Sequence, residues 1–470
     1  MGKYIFTITA FFQIFVFAIT CYYLILGVIG LFRKAEKKDY IPKNRFALLI
    51  AAHNEEVVVG SLIESMLELD YPKDMYDVFV IADNCTDNTA KISKSYGVNV
   101  CERFEKDKRG KGYALEWMFT KLFDMKKQYT AVAIFDADNL VHKDFLKEIN
   151  SKLQEGYKVV QGYIDSKNPD DSWISAAYSI AFWTQNRMFQ LARANVGFSN
   201  QIGGTGFAIE TKILKELGWG ATCLTEDLEF TCKLVLNGGK VGWAHDAIIY
   251  DEKPLKLAQS WAQRKRWMQG FTDVASRYFF KLIKKSITER KFYMFDCALY
   301  VLQPFVTLLI GIAAVLTLIQ VNTGGVNIYI INNLFGDDGN GNVGAIVFKA
   351  FAVVQFLITP LVLAIDKKVT KPFLVMMALY STNVFVVPYL ATNIHNWIIA
   401  WSIGVGYNLA FLILTGIFLG KKNLILFFRF LLYGLYTLTW IPITIQGILN
   451  KNNKEWNHTK HVRKIEICDV

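Results

Sequence analysis

Two carboxylates one residue apart, Asp136 and Asp138, stand where an apolar run, 131–135, gives way to a polar loop. A pair placed this way suits a hard divalent cation, Mg2+ or Mn2+, whose remaining oxygens come from substrate phosphates. The same pair also fits a polar strand end that caps the next helix. Thr225-Glu226-Asp227 opens a helical stretch, 228–236. Asp227, with Glu226 beside it, has the chemistry of a general base for an attacking hydroxyl. The alternative is a threonine N-cap followed by acids that favour the helix dipole. Further on, Gln263, Arg264, Arg266 and Trp267 form a Q-x-x-R-W set. Guanidinium groups bind a diphosphate bidentately, and an indole face suits the apolar face of a sugar ring. A basic amphipathic helix at a membrane needs no glutamine at this place, so the functional reading is preferred.

These residues need a scaffold. From about 45 to 252, short β-rich runs alternate with helical stretches, as in RFALLIAAHNEE, YDVFVIADNCTDNTA and TAVAIFDADN. The alternation predicts βαβ units around a mostly parallel sheet. Ligands of such sheets bind at the carboxyl ends of the strands, where His53-Asn54-Glu55, Asp83-Asn84 and Asp136-Ala137-Asp138 fall. From 255 to 284 an apolar stripe of Leu257, Trp261, Met268, Phe271, Ala275, Tyr278 and Leu282 recurs at a period near 3.6. With its many lysines and arginines this helix is expected at a membrane interface, with Phe271 toward lipid and Gln263 and Arg266 toward the soluble domain.

Composition sets the frame. Of 470 residues 53% are hydrophobic and only 20% charged, and the mean hydropathy is +0.24. Disorder, collagen and a disulfide scaffold are excluded. Seven scattered cysteines show no C-x-x-C pair, and the six histidines show no metal spacing. The net charge of +11 gathers beside hydrophobic segments, which favours lipid headgroups over nucleic acid. The charge-free run 5–32 is expected to be an anchor. Further spans are expected at 295–319, 344–365, 373–392, 397–419 and 424–449. The loop 321–343 is expected outside, and the basic tail from 451 in the cytosol. Five spans would strand that tail on the wrong side, so one of the last segments is expected to be interfacial or re-entrant.

The ordered set Asp83, Asp136-x-Asp138, Thr225-Glu226-Asp227 and Gln263-x-x-Arg266-Trp267 resembles the processive, membrane-embedded family-2 glycosyltransferases, the synthases of cellulose and other β-glucans, chitin, hyaluronan and poly-N-acetylglucosamine. The tail around Trp456 and His458 is similar to the end of some bacterial polysaccharide synthases. The resemblance implies an α/β glycosyltransferase A-type domain joined to a helical transmembrane region through amphipathic interface helices. The implied organisation is an anchor at 1–38, a cytosolic catalytic domain at 39–254, an interface helix at 255–294, a transmembrane channel at 295–450 and a basic tail at 451–470. It implies Asp227 as base with Glu226. His53, Asn54, Glu55, Asp83, Lys111, Asp136, Arg264 and Arg266 would hold the nucleotide sugar. Gly204, Thr205, Gln263 and Trp267 would hold the acceptor, and Asp136 and Asp138 would hold Mg2+ or Mn2+. The implied partners are a UDP-sugar, with UDP-glucose favoured, a growing polysaccharide and the lipid bilayer. No nucleic acid and no obligatory protein partner are implied, and the location is the plasma membrane. A β-glucan is the expected product. An N-acetylglucosamine polymer or a glycolipid is the alternative, and a non-catalytic transporter or scaffold the remote one.

Overall fold

A computed structural model describes residues 2–220, 223–322, 342–452 and 463–470. The chain divides into two compact units, one of Leu26–Leu308 with Thr439–Val470, the other of Met1–Ile25 with Leu309–Leu438.

The first unit is built on eight strands: β1 Phe46–Ala52, β2 Tyr76–Asp83, β3 Asn99–Arg103, β4 Ala131–Asp136, β5 Leu140–Val141, β6 Val159–Ser166, β7 Phe207–Glu210 and β8 Val241–Asp251. They form one sheet in the order β3-β2-β1-β4-β7-β6-β8-β5. Pairing is parallel across β3-β2-β1-β4 and between β6 and β8, whereas β7 and β5 pair antiparallel with their neighbours. The helices are α1 Gly2–Ile29, α2 Val59–Leu67, α3 Thr89–Ser95, α4 Lys111–Asp124, α5 Phe145–Gln154, α6 Trp173–Gln185, α7 Ala192–Val196, α8 Thr211–Leu217, α9 Glu226–Leu236, α10 Leu257–Thr288, α11 Phe292–Val301, α12 Gln303–Asn322, α13 Asn342–Ile365, α14 Lys371–Ser381, α15 Asn383–Asn393, α16 Trp397–Leu419, α17 Lys421–Leu438 and α18 Trp440–Leu449.

β1 is an unbroken apolar run because both its faces are covered. Leu48, Ile50, Val80 and Phe135 meet Leu62 and Met66 of α2 and Phe145 and Ile149 of α5. On the other face Leu49, Ile81 and Ile134 meet Leu115, Met118 and Phe119 of α4 and Phe230 and Leu234 of α9. The carboxyl ends of β1, β2 and β4 therefore open on one edge, as the α/β pattern requires.

The apolar stripe of α10 is used inside the chain. Val274, Ala275 and Leu282 pack with Leu228, Cys232 and Val235 of α9 and with Met294, Cys297, Ala298 and Val301 of α11, and Phe271 and Tyr278 close the cluster. This corrects the expectation that Phe271 faces lipid: periodicity reports an apolar face, not which surface covers it. The most exposed apolar side chains of α10 are Phe280 and Ile287, at 79% and 72%. On another side α18 crosses α10 so closely that a Cβ added at Gly447 would lie 2.4 Å from Met268 Cβ.

The expected span 295–319 is two helices, α11 and α12, bent by 70°. Its opening residues belong to the core just described, because Asp296 is drawn into a buried ion pair with Arg193 at 2.7 and 3.0 Å. The expected span 373–392 holds two helices, α14 and α15, and 424–449 falls within α17 and α18, which together form one stretch long enough to span. Among the described residues three stretches are long and apolar enough to cross a bilayer, Thr9–Ile29, Trp397–Leu419 and Lys421–Leu449, with the bent pair as a fourth if it acts as one span. Most of the loop 321–343 and the tail residues Trp456 to His461 lie outside the described residues. In the second unit the helices pack through aromatic side chains: Tyr380 meets Phe356, Phe411 and Phe427, and Phe430 meets Phe356 and Phe373.

Arg193 and Asp296 are both almost fully buried, and Arg193 also lies over the rings of Phe189 and Tyr300. Asp296→Ala should therefore lower stability by about 3–5 kcal/mol, the cost of a buried charge without its partner. Denaturant unfolding in detergent, followed by tryptophan emission, checks this. An unchanged midpoint would refute the anchoring role of the pair.

Candidate active site

β4 delivers the acidic pair to the open edge of the sheet. Asp138 is 4% exposed and accepts from Asn139 Nδ2 at 3.3 Å. The Asp136 N–H donates to Thr205 Oγ1 at 3.0 Å, and the Thr205 hydroxyl in turn donates to Asn139 Oδ1. Thr205 is thus consumed beneath the carboxylates, which corrects its expected contact with an acceptor. Its neighbour Gly204 has φ +85°, and an added Cβ there would lie 3.5 Å from Asp227 Oδ2.

Lys111, at the start of α4, ties these segments together. Its ammonium donates to Asp136 Oδ1 at 2.5 Å and to the Gly204 carbonyl at 2.6 Å. Glu226 and Asp227 open α9 close by. Thr225 makes no side-chain cap bond, so the N-cap reading of this motif falls. Instead α10 comes against Thr225 at Gly270, where an added Cβ would lie 2.4 Å from the threonine side chain. Burial, followed by the charge of Asp227, pushes Glu226 up to about 7, with Lys111 and Arg266 opposing. Burial also raises Asp227, against the Leu228 N–H and Lys111, while Asp136 adds to the rise. Lys111 is desolvated, which works to lower it, yet Asp136, Glu226 and Asp227 hold it above the ordinary lysine range. The result is a pair of carboxyls, raised by desolvation, facing one shared cation.

The expected nucleotide residues gather at the ends of β1 and β2. His53 Nδ1 is 2.7 Å from the Asp83 carbonyl. Asn54 and Asn84 both take left-handed turns, at φ 56° and 51°, and Asn54 Oδ1 accepts the Thr86 N–H at 2.8 Å. Glu55 is buried, and its N–H donates to Thr89 Oγ1 at 2.8 Å. Asp83 accepts from the buried Arg103 at 2.5 Å, a partner the sequence does not announce.

Of the Q-x-x-R-W set, Gln263 Oε1 accepts from the Tyr178 hydroxyl at 2.8 Å. Trp267 stands against Tyr178 and Phe182 of α6, with ring centroids 6.1 and 6.3 Å away. Arg266 acts on Glu226. Arg264 does not join them. It is fully buried, donates to Thr439 Oγ1 at 2.8 Å and lies 5.0 Å over the Trp440 ring. Its expected nucleotide contact is corrected: Arg264 falls on the face of α10 that α18 covers. A buried acid was also missed. Glu229, one turn beyond Glu226, is 2% exposed and accepts both Arg277 Nη atoms, at 2.8 and 3.1 Å, and the Tyr278 hydroxyl at 3.0 Å. Its only signal in the sequence is a third acid in the first turn of α9.

Among the described residues no group of three or more His, Cys, Asp or Glu could hold a metal ion on its own. The donor set of Asp136 and Asp138 nonetheless suits a cation that takes its other oxygens from a diphosphate.

Residues 42–270 match the model of "Glycosyltransferase like family 2". The chain is 29% identical over 272 residues to the probable glycosyltransferase YdaM of Bacillus subtilis, a match covering 55% of this chain and 63% of that protein. It is 28% identical over 274 residues to the beta-monoglucosyldiacylglycerol synthase of Nostoc, covering 54% of this chain and 56% of that one. It is 26% identical over 265 residues to the poly-beta-1,6-N-acetyl-D-glucosamine synthase of Staphylococcus epidermidis, covering 55% and 62%. Each relative is thus matched over less than two thirds of its own length. Together with the parallel half-sheet and the acidic pair at the end of β4, the match likens residues 42–270 to family-2 glycosyltransferase domains, and their α/β fold is GT-A-like.

Proposed function

We propose that this chain is an inverting hexosyltransferase that moves a sugar from a UDP-sugar to the hydroxyl of a membrane-borne acceptor, with a glycolipid as the first reading of the product. The observation that carries the proposal is the placing of Asp227 beside the bare backbone of Gly204, one shared lysine away from Asp136. Support for a lipid acceptor comes from the likeness to a glucosyldiacylglycerol synthase and from the apolar helices near both ends of the chain. A second reading, polymer synthesis, is favoured by Trp267 and Gln263 on their aromatic bed and by the likeness to a poly-N-acetylglucosamine synthase. A β-glucan exported through the protein's own helices belongs to that second reading.

In the proposed reaction Asp227 takes the proton of the acceptor hydroxyl. The oxygen then attacks the anomeric carbon from the side opposite the diphosphate, and the bond from that carbon to the phosphate oxygen breaks. Lys111 and Arg266 would meet the departing negative charge. Asp136 and Asp138 would hold Mg2+ or Mn2+, which when bound offsets the charge of the diphosphate. His53, Asn54, Glu55 and Asp83 form the proposed nucleoside pocket. The plasma membrane is the proposed location, with the catalytic domain in the cytosol.

The test is UDP release in detergent with a panel of UDP-sugars, offered diacylglycerol or oligosaccharide acceptors, followed by chromatography of the product. A lipid-extractable product supports the first reading, and a polymer degraded by a linkage-specific hydrolase supports the second. Release with neither acceptor defeats both. Asp227→Asn should lower turnover by about 10²- to 10⁴-fold and leave UDP binding intact. Turnover near that of the wild type would remove Asp227 as base.

The pH profile follows from the raised carboxyls. The base works only when deprotonated, so activity should rise with pH on an acid limb that belongs to the Glu226–Asp227 pair. Glu226→Gln removes a neighbouring negative charge and should move that limb toward acid. A limb that stays in place would show that the two carboxyls do not titrate together. Excess EDTA should abolish activity, and Mg2+ or Mn2+ should restore it. Full turnover in chelator would remove the cation from the proposal.

A further inference from the structure

The D-x-D segment and Trp267 lie on different elements, yet a continuous chain of contacts joins them. Asn139 Nδ2, which donates to Asp138, also donates to Asp251 Oδ1 at 3.1 Å. The other oxygen of Asp251 accepts from Lys253 Nζ at 2.7 Å. That ammonium sits 3.6 Å from the centroid of the Phe182 ring. Phe182 stacks on Tyr178 at 6.3 Å and 19°, and both rings bear on Trp267.

Lys253 is a costly residue to place here. Its side chain is 1% exposed, and a buried ammonium is tolerated only when paired. Asn168 clamps its backbone from both sides, accepting the Lys253 N–H at 2.7 Å and donating to its carbonyl at 2.9 Å. The ammonium is thereby held between one carboxylate and one ring face, an arrangement that is strong when desolvated. A methylene chain would fill the same space without the penalty, so packing alone does not explain the charge.

We propose that Asp251 and Lys253 are positioning residues that couple the donor-side carboxylate Asp138 to the acceptor platform formed by Phe182, Tyr178 and Trp267. The inference rests on the transferase reading for the roles of the two ends, but not for the coupling itself. Asp251 orients Asn139 and hence Asp138, while Lys253 fixes the ring against which Trp267 stands. A change at either end is carried through one ion pair.

The experiment uses full-length protein in detergent with Lys253→Met, Lys253→Arg and Asp251→Asn. Acrylamide quenching of Trp267, taken as the difference from Trp267→Phe, reads the platform without any substrate. Mn2+ paramagnetic resonance with UDP present reads the carboxylate end, and acceptor KM is compared with the UDP dissociation constant. Lys253→Met should raise Trp267 quenching about twofold and acceptor KM about tenfold while UDP binding holds, and Lys253→Arg should restore both. Asp251→Asn should do the same and also weaken Mn2+ binding about tenfold, as losing an outer-shell partner does. The double variant Asp251→Asn/Lys253→Met should be no worse at Trp267 than Asp251→Asn alone. If Lys253→Met does not fold, Phe182→Leu carries its expectation. Unchanged Trp267 quenching in folded variants, or additive effects in the double variant, would overturn the coupling. Absence of sugar transfer by the wild type would instead defeat the transferase reading, and Trp267 quenching would still decide the coupling.

Discussion

The buried carboxylate of Glu229 is the interaction on which the geometry of the site depends. It sits on α9 less than one turn from Asp227 and is held by Arg277 and Tyr278 of α10. The same two helices meet at Gly270, where no side chain larger than hydrogen fits against Thr225. These two contacts fix where α9 begins relative to the helix that carries Gln263, Arg266 and Trp267. Under the proposed roles of Asp227 and Trp267, a base and an acceptor platform on separate helices need such a lock, because a displacement of about 1 Å can cost on the order of 10²-fold in rate. Glu229 is buried and bound bidentately, which makes this pair stronger than one wholly on the surface.

That lock also explains the electrostatics. Glu226 and Asp227 stay half-covered because α10 and the Gly204 segment close over the start of α9, and desolvation is the largest cause of the rise in both. Lys111 limits the rise by serving Asp136, Glu226 and Asp227 together. A more open start of α9 would leave ordinary carboxylates, ionised but weaker as bases near neutral pH.

Much of this was legible in the sequence where the signal is local. The parallel strands β1, β2 and β4 follow from apolar runs alternating with helical stretches, and the acidic pair, Glu226, Asp227 and Gly204 sit together as their motifs suggest. What escaped depends on what covers a residue. Arg264 and Arg266 are two positions apart in one motif, yet α18 buries the first and leaves the second near Glu226, and spacing along α10 carries no record of α18. Thr205 looks available as a hydroxyl until Asn139 claims it. Phe271 belongs to an apolar stripe that suits lipid and protein equally, and α11 settles the choice. Asp296, which ties α11 into the core before the break, lies 103 residues from its partner Arg193.

Charge accounting under the proposed function shows why these corrections matter. Asp136, Asp138, Glu226 and Asp227 are proposed to act together, and once Arg264 is turned away, Lys111 and Arg266 are cations among the described residues whose charge offsets theirs. A diphosphate adds more negative charge to a site that already carries an excess of it, and like charges brought together in a desolvated pocket push one another toward protonation. Protonating Asp227 would remove the base. The donor can be accommodated with the base still ionised only if further positive charge arrives with it. Among the described residues no third His, Cys, Asp or Glu completes a metal group with the paired carboxylates, which suits them to a cation that enters bound to phosphate. The incomplete cage at Asp136 and Asp138 and the raised carboxyls at the start of α9 are thus two sides of one constraint: the site is electrostatically unfinished until the donor is in it.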